Sequence, residues 1–144
     1  MSLIGAISLS PRRQRINTYF RFHDDNVRAP DVISFLRHLH RQQQRRMIVV
    51  LDRLNVHRSA VRQLKDRSAP WLEVEWLPAY APDLNPVEAM WSCMKHGDLA
   101  NFLPNDLYEL GDAVVDSLFR QRNDRRIEKI LFSHRPTRPL TRRI

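Results

Sequence analysis

Two acidic residues stand where metal-dependent chemistry can be built. Asp52 directly follows the apolar run 47–51, and Glu88 follows Pro86 in a segment that begins as a helix. The apolar run predicts a strand buried on both faces, so Asp52 would emerge at the carboxyl end of a partly parallel sheet, where open α/β folds place ligands. Pro favours the first helical position, which puts Glu88 in the first turn. Two such carboxylates predict a divalent-metal site and phosphoryl transfer on DNA.

Each acid also has a plainer interpretation. Glu88 stands three residues after Asn85, which is the spacing of a capping box, although capping and metal ligation are compatible. Asp52 could be an ordinary turn residue at a strand end. Asp83 lies in a Pro-Asp turn, and we interpret it as structural.

The residues around both acids resemble the catalytic half of an insertion-sequence transposase of the mariner superfamily. The resemblance lies in residues 48–59, Ile-Val-Val-Leu-Asp-Arg-Leu-Asn-Val-His-Arg-Ser, and in residues 77–95, which contain the block Pro-Asp-Leu-Asn-Pro-Val-Glu. It implies an α/β, ribonuclease H-like mixed sheet flanked by helices, with an Asp-Asp-Glu triad that holds two Mg²⁺ (or Mn²⁺) ions. Asp52 matches the second Asp and Glu88 the Glu, and the 35 residues between them fit the superfamily's spacing.

Two neighbours of Asp52 have roles suggested by the same resemblance, and helix spacing suggests a role for Lys95. The resemblance implies that Asn55 and His57 lie in a loop beside the metal site and could position substrate. Arg53 stands where the family more usually has Asn, so this carry-over is weakened. Lys95 lies seven residues after Glu88 on the same helix face, where it could meet a phosphate near the metals or simply face solvent.

The strand count leaves no place for the first Asp of the triad. We predict two strands before the first helix, residues 3–9 and 15–22, whereas a ribonuclease H-like domain needs three there. The resemblance places residues 3–9 on the second strand, so the chain is expected to begin after the first catalytic strand. Asp24 and Asp25 are the nearby acids that could replace the lost ligand. The active site of this chain alone is therefore expected to be incomplete.

The absent strand would be central, between residues 3–9 and 47–52. Its absence would leave two unpaired edges, which could close on each other, recruit a strand from another copy or leave the fragment poorly ordered. Closure would require a shift of about one strand spacing, ~4.8 Å. We therefore expect self-association.

The charge changes sign twice along the chain. Residues 1–67 carry a net charge of +9, residues 68–119 a net −8 and residues 120–144 a net +7. Basic flanks around an acidic centre suit an enzyme that neutralises phosphates and holds metal ions, although a merely solvated basic surface has the same composition. Phosphate contacts are expected from Lys95 and from the tail residues Arg135, Arg138, Arg142 and Arg143. We expect weak, sequence-independent and salt-dependent binding to DNA, with transposon ends and target as the substrates.

Apolar spacing predicts the remaining elements. The two opening strands form a hairpin turned at residues 10–13, and Pro30 starts a helix that buries Val32, Phe35, Leu36 and Leu39 and exposes Arg37, Arg41, Arg45 and Arg46. Ser59 caps a short helix with Val61 and Leu64 inward, and residues 72–76 alternate as a half-exposed strand. The Glu88 helix is closed by Gly97, with Val87, Met90, Trp91 and Met94 as a core stripe, and a last helix near Asn105 packs Leu107, Leu110, Val114 and Leu118.

We assign residues 1–134 to the catalytic domain and residues 135–144 to a basic tail that is too polar to fold alone. Cys93 is the single cysteine, which fits a reducing compartment, and no apolar run is long enough for a membrane span. We expect a cytoplasmic, nucleoid-associated bacterial protein with no membrane partner. The resemblance implies a transposase fragment for DNA cleavage and strand transfer, expected to be inactive alone, or else a catalytically silent DNA-binding and assembly fragment of a decayed or frameshifted transposase.

Overall fold

The computed structural model of this chain describes residues 2–12 and 15–123, which divide into one unit of residues 1–87 and another of residues 88–144. The first unit contains β1 (Ser2–Leu9), β2 (Ile16–His23), α1 (Ala29–Gln43), β3 (Met47–Leu51), α2 (Asn55–Asp66) and β4 (Leu72–Trp76). A 3₁₀ turn at Pro82–Leu84 leads to α3 (Pro86–Cys93), which crosses the boundary between the units. The second unit continues with a π-helical turn, Met94–Asp98, and α4 (Leu107–Asn123).

The strands form two separate two-stranded sheets. β1 and β2 pair antiparallel from Ser2 opposite His23 to Leu9 opposite Ile16, which confirms the predicted hairpin. β3 and β4 pair in parallel, and α2 makes the crossover that a parallel pair requires. Among the described strands, β1 and β3 are not hydrogen-bonded to each other. The strands and helices together confirm the predicted α/β class. The two strands expected to flank the absent one, β1 and β3, have not closed on each other in the part of the chain that the structure describes.

Helix α1 supplies the core of the first unit. Val32, Ile33, Phe35, Leu36 and Leu39 are all buried, as their helical spacing predicts, and they pack with Ala60 and Leu64 of α2. Partly buried residues from both sheets complete this core, among them Ile4 and Ala6 of β1 and Met47 and Val49 of β3. The four predicted outer arginines of this region are exposed. Helix α1 thus packs against residues of both sheets.

The prediction that β3 is buried on both faces was wrong. Met47, Val49 and Leu51 are half-buried, but Ile48 is 67% exposed and Val50 is 58% exposed. The core built on α1 contacts the face of β3 that carries Met47 and Val49, and within the described residues no core cluster packs against the opposite face. The alternation predicted for β4 is confirmed, with Leu72, Val74 and Trp76 on its less exposed side.

The predicted start of α2 at Ser59 was also wrong. The helix begins at Asn55, and the hydroxyl of Ser59 accepts a hydrogen bond from Gln63 inside the helix. In the loop that precedes the helix, Asp52 accepts a hydrogen bond from the backbone N–H of Leu54, the N-cap residue. Val61 and Leu64 are buried as predicted.

The ends of the last two helices differ from the prediction as well. Gly97 does not close α3, because the chain continues into the π-helical turn, where the N–H of Leu99 donates to the carbonyl of Met94. Of the predicted core stripe, Met90 and Met94 are buried, and Val87 and Trp91 are half-buried. In α4, Val114 and Leu118 are buried as predicted and Leu110 is half-buried, but Leu107 is exposed. Leu107 begins the helix, where Asp106 caps the N–H of Glu109 and the first turn lies outside the packed region.

No helix in the described part of the chain is both long and apolar enough to cross a membrane. The proposed tail, residues 135–144, and the segment that precedes it lie outside the described residues.

Candidate active site

Asp52 lies immediately after β3, at the carboxyl end of the parallel sheet, as predicted. Its side chain is partly exposed, and its Oδ1 atom accepts two hydrogen bonds. One comes from the backbone N–H of Leu54, at 3.2 Å, and the other from Nδ1 of His57, at 2.5 Å. Because both donors approach Oδ1, the Oδ2 atom remains available to a ligand. The turn interpretation of Asp52 is thus correct locally, and it is compatible with metal binding.

His57 reaches Asp52 from the first turn of α2. The five-residue separation lets the chain turn after β3 and bring the imidazole back over the strand end. A carboxylate oxygen can only accept, so Nδ1 carries the proton and donates it. This contact fixes the orientation of both side chains, in the way that ligand carboxylates are commonly held by partners outside the metal shell.

Asn55 does not touch Asp52 through any hydrogen bond found in the described residues. Its side-chain oxygen accepts a hydrogen bond from the guanidinium of Arg58, one turn further along α2, at 2.7 Å. Of these two residues, His57 therefore contacts Asp52, whereas Asn55 contacts Arg58 on the surface of α2.

Arg53, the departure from the family pattern, has a structural contact that sequence reasoning missed. Its Nε donates to the carbonyl of Leu77 at 2.9 Å, and the N–H of Leu77 donates to the carbonyl of Leu51 at 2.8 Å. These two bonds tie the loop after β3 to the loop after β4. The side chain thus helps to hold the strand end from which Asp52 projects.

Glu88 lies exposed in the first turn of α3, in the position that Pro86 predicts. Asn85 caps the helix, since its side-chain oxygen accepts a hydrogen bond from the N–H of Val87 at 3.1 Å. The reciprocal bond of a capping box, from Asn85 N–H to Glu88, is not formed. Within the described residues, the carboxylate of Glu88 makes no hydrogen bond or ion pair. Its oxygens are free for a ligand.

The other candidate residues are distributed along both units. Lys95 is exposed in the π-helical turn that follows α3, and Ser92, on the predicted Glu88 face, is exposed too. Asp24 and Asp25 are exposed just after β2, and Asp83 is exposed in the 3₁₀ turn before α3. The candidate DNA contacts Arg135, Arg138, Arg142 and Arg143 lie outside the described residues.

The donor set suits a divalent metal ion only in part. Asp52 and Glu88 each offer carboxylate oxygen, the ligand that Mg²⁺ and Mn²⁺ prefer. However, the described residues contain no group of three His, Cys, Asp or Glu side chains that could hold a metal ion. Asp52 belongs to the first unit and Glu88 to the second. Asp52 and Glu88 are therefore each suited to bind a divalent metal ion, but together they are fewer than the ligands that such a site needs.

A comparison with protein-family models assigns the class of this chain. The model for the DDE superfamily endonucleases matches residues 1–106, which include both Asp52 and Glu88. The chain belongs to this family, whose domains act on DNA and generally depend on divalent metal ions. No curated protein and no solved structure matches the chain. Helix α4 and the basic tail lie beyond the matched region.

Proposed function

We propose that this chain is the catalytic part of a mariner-type insertion-sequence transposase with a ribonuclease H-like fold, in which Asp52 and Glu88 bind Mg²⁺ or Mn²⁺ for DNA strand cleavage and transfer. One observation carries the proposal. The match to the DDE endonucleases spans both acids. One of them, Asp52, is held at the end of a parallel strand by two hydrogen bonds to Oδ1, and its Oδ2 atom accepts none of these bonds.

In this proposal, different residues of the chain orient the metal ligands, bind the metal ions and contact the DNA backbone. His57 and the N–H of Leu54 hold one oxygen of Asp52, which leaves the other directed to a ligand. Glu88 offers an unengaged carboxylate from a helix start that Asn85 fixes. Bound Mg²⁺ ions supply activation of a water or 3′-hydroxyl and stabilisation of the leaving oxygen. Lys95 and the four tail arginines would neutralise backbone phosphates.

In this proposal the chain alone is catalytically inactive, because two carboxylates are fewer than the triad that the resemblance implies. A second candidate keeps the same DNA contacts without chemistry, as a DNA-binding and assembly fragment of a decayed or frameshifted transposase. The observation that favours it is the lack of a three-ligand cluster among the described side chains. DNA upstream of Met1 separates the two candidates, since an encoded strand that ends in Asp supports the enzyme.

We expect no DNA nicking by this chain alone. With Mg²⁺ or Mn²⁺ and DNA that carries the transposon ends, its nicking should equal that of the variant Asp52→Asn/Glu88→Gln, because a ligand is missing. A chain extended by an upstream strand that ends in Asp should nick the same DNA, and the double substitution should abolish that activity. Cleavage by the unextended chain that the double variant abolishes would show that its own ligands suffice. Failure of the extended chain would favour the silent fragment.

We also propose that copies of the chain associate through the unpaired edges of β1 and β3. Among the strands that the structure describes, each of these pairs on one side only, with β2 and β4 respectively. An unpaired edge presents backbone groups to other chains, and the exposed Ile48 and Val50 add apolar surface beside one of them.

Light scattering coupled to size exclusion at micromolar concentration is expected to show a mass above that of the monomer. The variant Ile48→Lys/Val50→Lys should shift the mass toward the monomer, because charge beside an edge opposes pairing. The control Leu54→Lys/Leu84→Lys adds the same charge at exposed apolar sites outside the strands and should retain the association. A clean monomer with a cooperative melt for the unmodified chain would contradict this proposal.

A further inference from the structure

A basic groove of about 560 Å³ runs between α1 and α2 in the first unit. Its lining contains three guanidinium groups, from Arg37 and Arg41 of α1 and from Arg67 at the end of α2. Arg37 and Arg41 are four residues apart, so they project from the same face of α1. None of the residues that line the groove is Asp or Glu. The groove therefore concentrates positive charge without a compensating acid in its walls.

These three arginines are not used to hold the fold together. All three are exposed, and within the described ranges none of their guanidinium groups makes a hydrogen bond or an ion pair with another residue. Other arginines of the same unit are engaged: Arg21 donates to Ser34, Arg53 to Leu77 and Arg58 to Asn55. Free guanidinium groups present planar forks that match phosphate oxygens two at a time.

The floor of the groove is a rigid aromatic pair. The rings of His40 and Trp71 stack with centroids 4.4 Å apart and planes 8° from parallel. The Nδ1 atom of His40 donates to the carbonyl of Arg45 at 3.1 Å, and Trp71 also packs against the core around α1. The indole is thus occupied by protein on the His40 side and held by the core. Stacking of unpaired bases requires an open aromatic face, which the His40 side of the indole does not offer.

We infer that the groove binds the phosphate backbone of duplex DNA through Arg37, Arg41 and Arg67, at a place separate from Asp52. The inference rests on the proposed function, because it assumes that the chain acts on DNA. Helix α2 has 12 residues and separates the Asp52 loop from Arg67. At about 1.5 Å per residue the helix is roughly 18 Å long, with Asp52 before its start and Arg67 after its end.

The test measures the affinity of the full chain for a short DNA duplex of unrelated sequence at several salt concentrations. The variant Arg37→Gln/Arg41→Gln/Arg67→Gln should reduce the slope of log K against log salt by up to about 0.9 for each lost contact, or about 2.7 in all. The control Arg45→Gln/Arg46→Gln/Arg62→Gln removes the same charge from exposed positions of the same unit that do not line the groove. Its slope should change clearly less. Thermal melts of both variants check that each is folded.

Two results would overturn the inference, and they are distinguishable. Equal slopes for the groove variant and the control variant, with DNA binding retained, would reject the groove and leave the proposed function intact. Absence of DNA binding by the unmodified chain would reject both. A groove variant that binds single-stranded DNA as the unmodified chain does, but binds the duplex with a reduced slope, would support contact with the duplex backbone.

Discussion

Replacing His57 with Leu is expected to weaken the binding of Mn²⁺ to this chain by about 10- to 100-fold, the usual effect of removing a partner that orients a metal ligand. In the structure, His57 Nδ1 lies 2.5 Å from Oδ1 of Asp52 and holds the carboxylate at the end of β3. Without this donor, the carboxylate retains the N–H of Leu54, a longer contact from the adjacent loop. The carboxylate would then rotate more freely and present its oxygens to a metal ion for less of the time.

Titration of Mn²⁺ followed by electron paramagnetic resonance measures this affinity without any catalytic activity. His57→Asn keeps a side-chain N–H donor and should recover part of the loss, whereas His57→Leu should not. The control His96→Leu removes an exposed imidazole from the π-helical turn, away from the α2 start, and should bind Mn²⁺ as the unmodified chain does. Equal affinity in His57→Leu and the unmodified chain would show that the hydrogen bond does not prepare Asp52 for a metal.

The second large effect is expected on stability. Leu64 of α2 is only 1% exposed and packs in the core between α1 and α2. The substitution Leu64→Ala should lower the free energy of unfolding by about 2–5 kcal/mol, through lost burial and the cavity left behind. His57, which donates to Asp52, lies in the first turn of the same helix. Loosening this core is therefore expected to weaken the contact between His57 and Asp52 as well.

Urea denaturation followed by circular dichroism measures the change in stability. Leu54→Ala is the matched control, since Leu54 belongs to the same unit and is 56% exposed. Its effect should be small, because truncating an exposed side chain leaves no internal cavity. A shift for Leu64→Ala no larger than that of Leu54→Ala would contradict the packing of α2 against α1.

Local patterns in the sequence predicted those parts of the fold that local physics decides. The stripe of α1 and the alternation of β4 were correct because burial of one face imposes a period of 3.6 or 2 residues. The placement of Asp52 after a strand and of Glu88 in a first turn was correct because an apolar run and a Pro set those boundaries.

Features that depend on tertiary contacts could not be predicted from local sequence patterns. Five successive apolar residues in β3 do not reveal that only one face is covered, so the exposure of Ile48 and Val50 was missed. The helix α2 begins at Asn55, although Leu54 before it offers no side-chain cap and Ser59 is a residue type that favours the N-cap position. The basic groove forms because Arg67, after α2, lines the same groove as Arg37 and Arg41 of α1. The spacing of these residues along the sequence does not predict that they lie together.

Asp52 and Glu88 are the proposed metal ligands, and a Mn²⁺ titration of four proteins tests this proposal most directly. The unmodified chain and the control Asp83→Asn, which removes an exposed acid from the turn before α3, should bind Mn²⁺ with the same affinity. Asp52→Asn alone and Glu88→Gln alone should each bind Mn²⁺ more weakly, because either change removes a proposed carboxylate ligand. Identical Mn²⁺ binding by all four proteins would contradict the proposal.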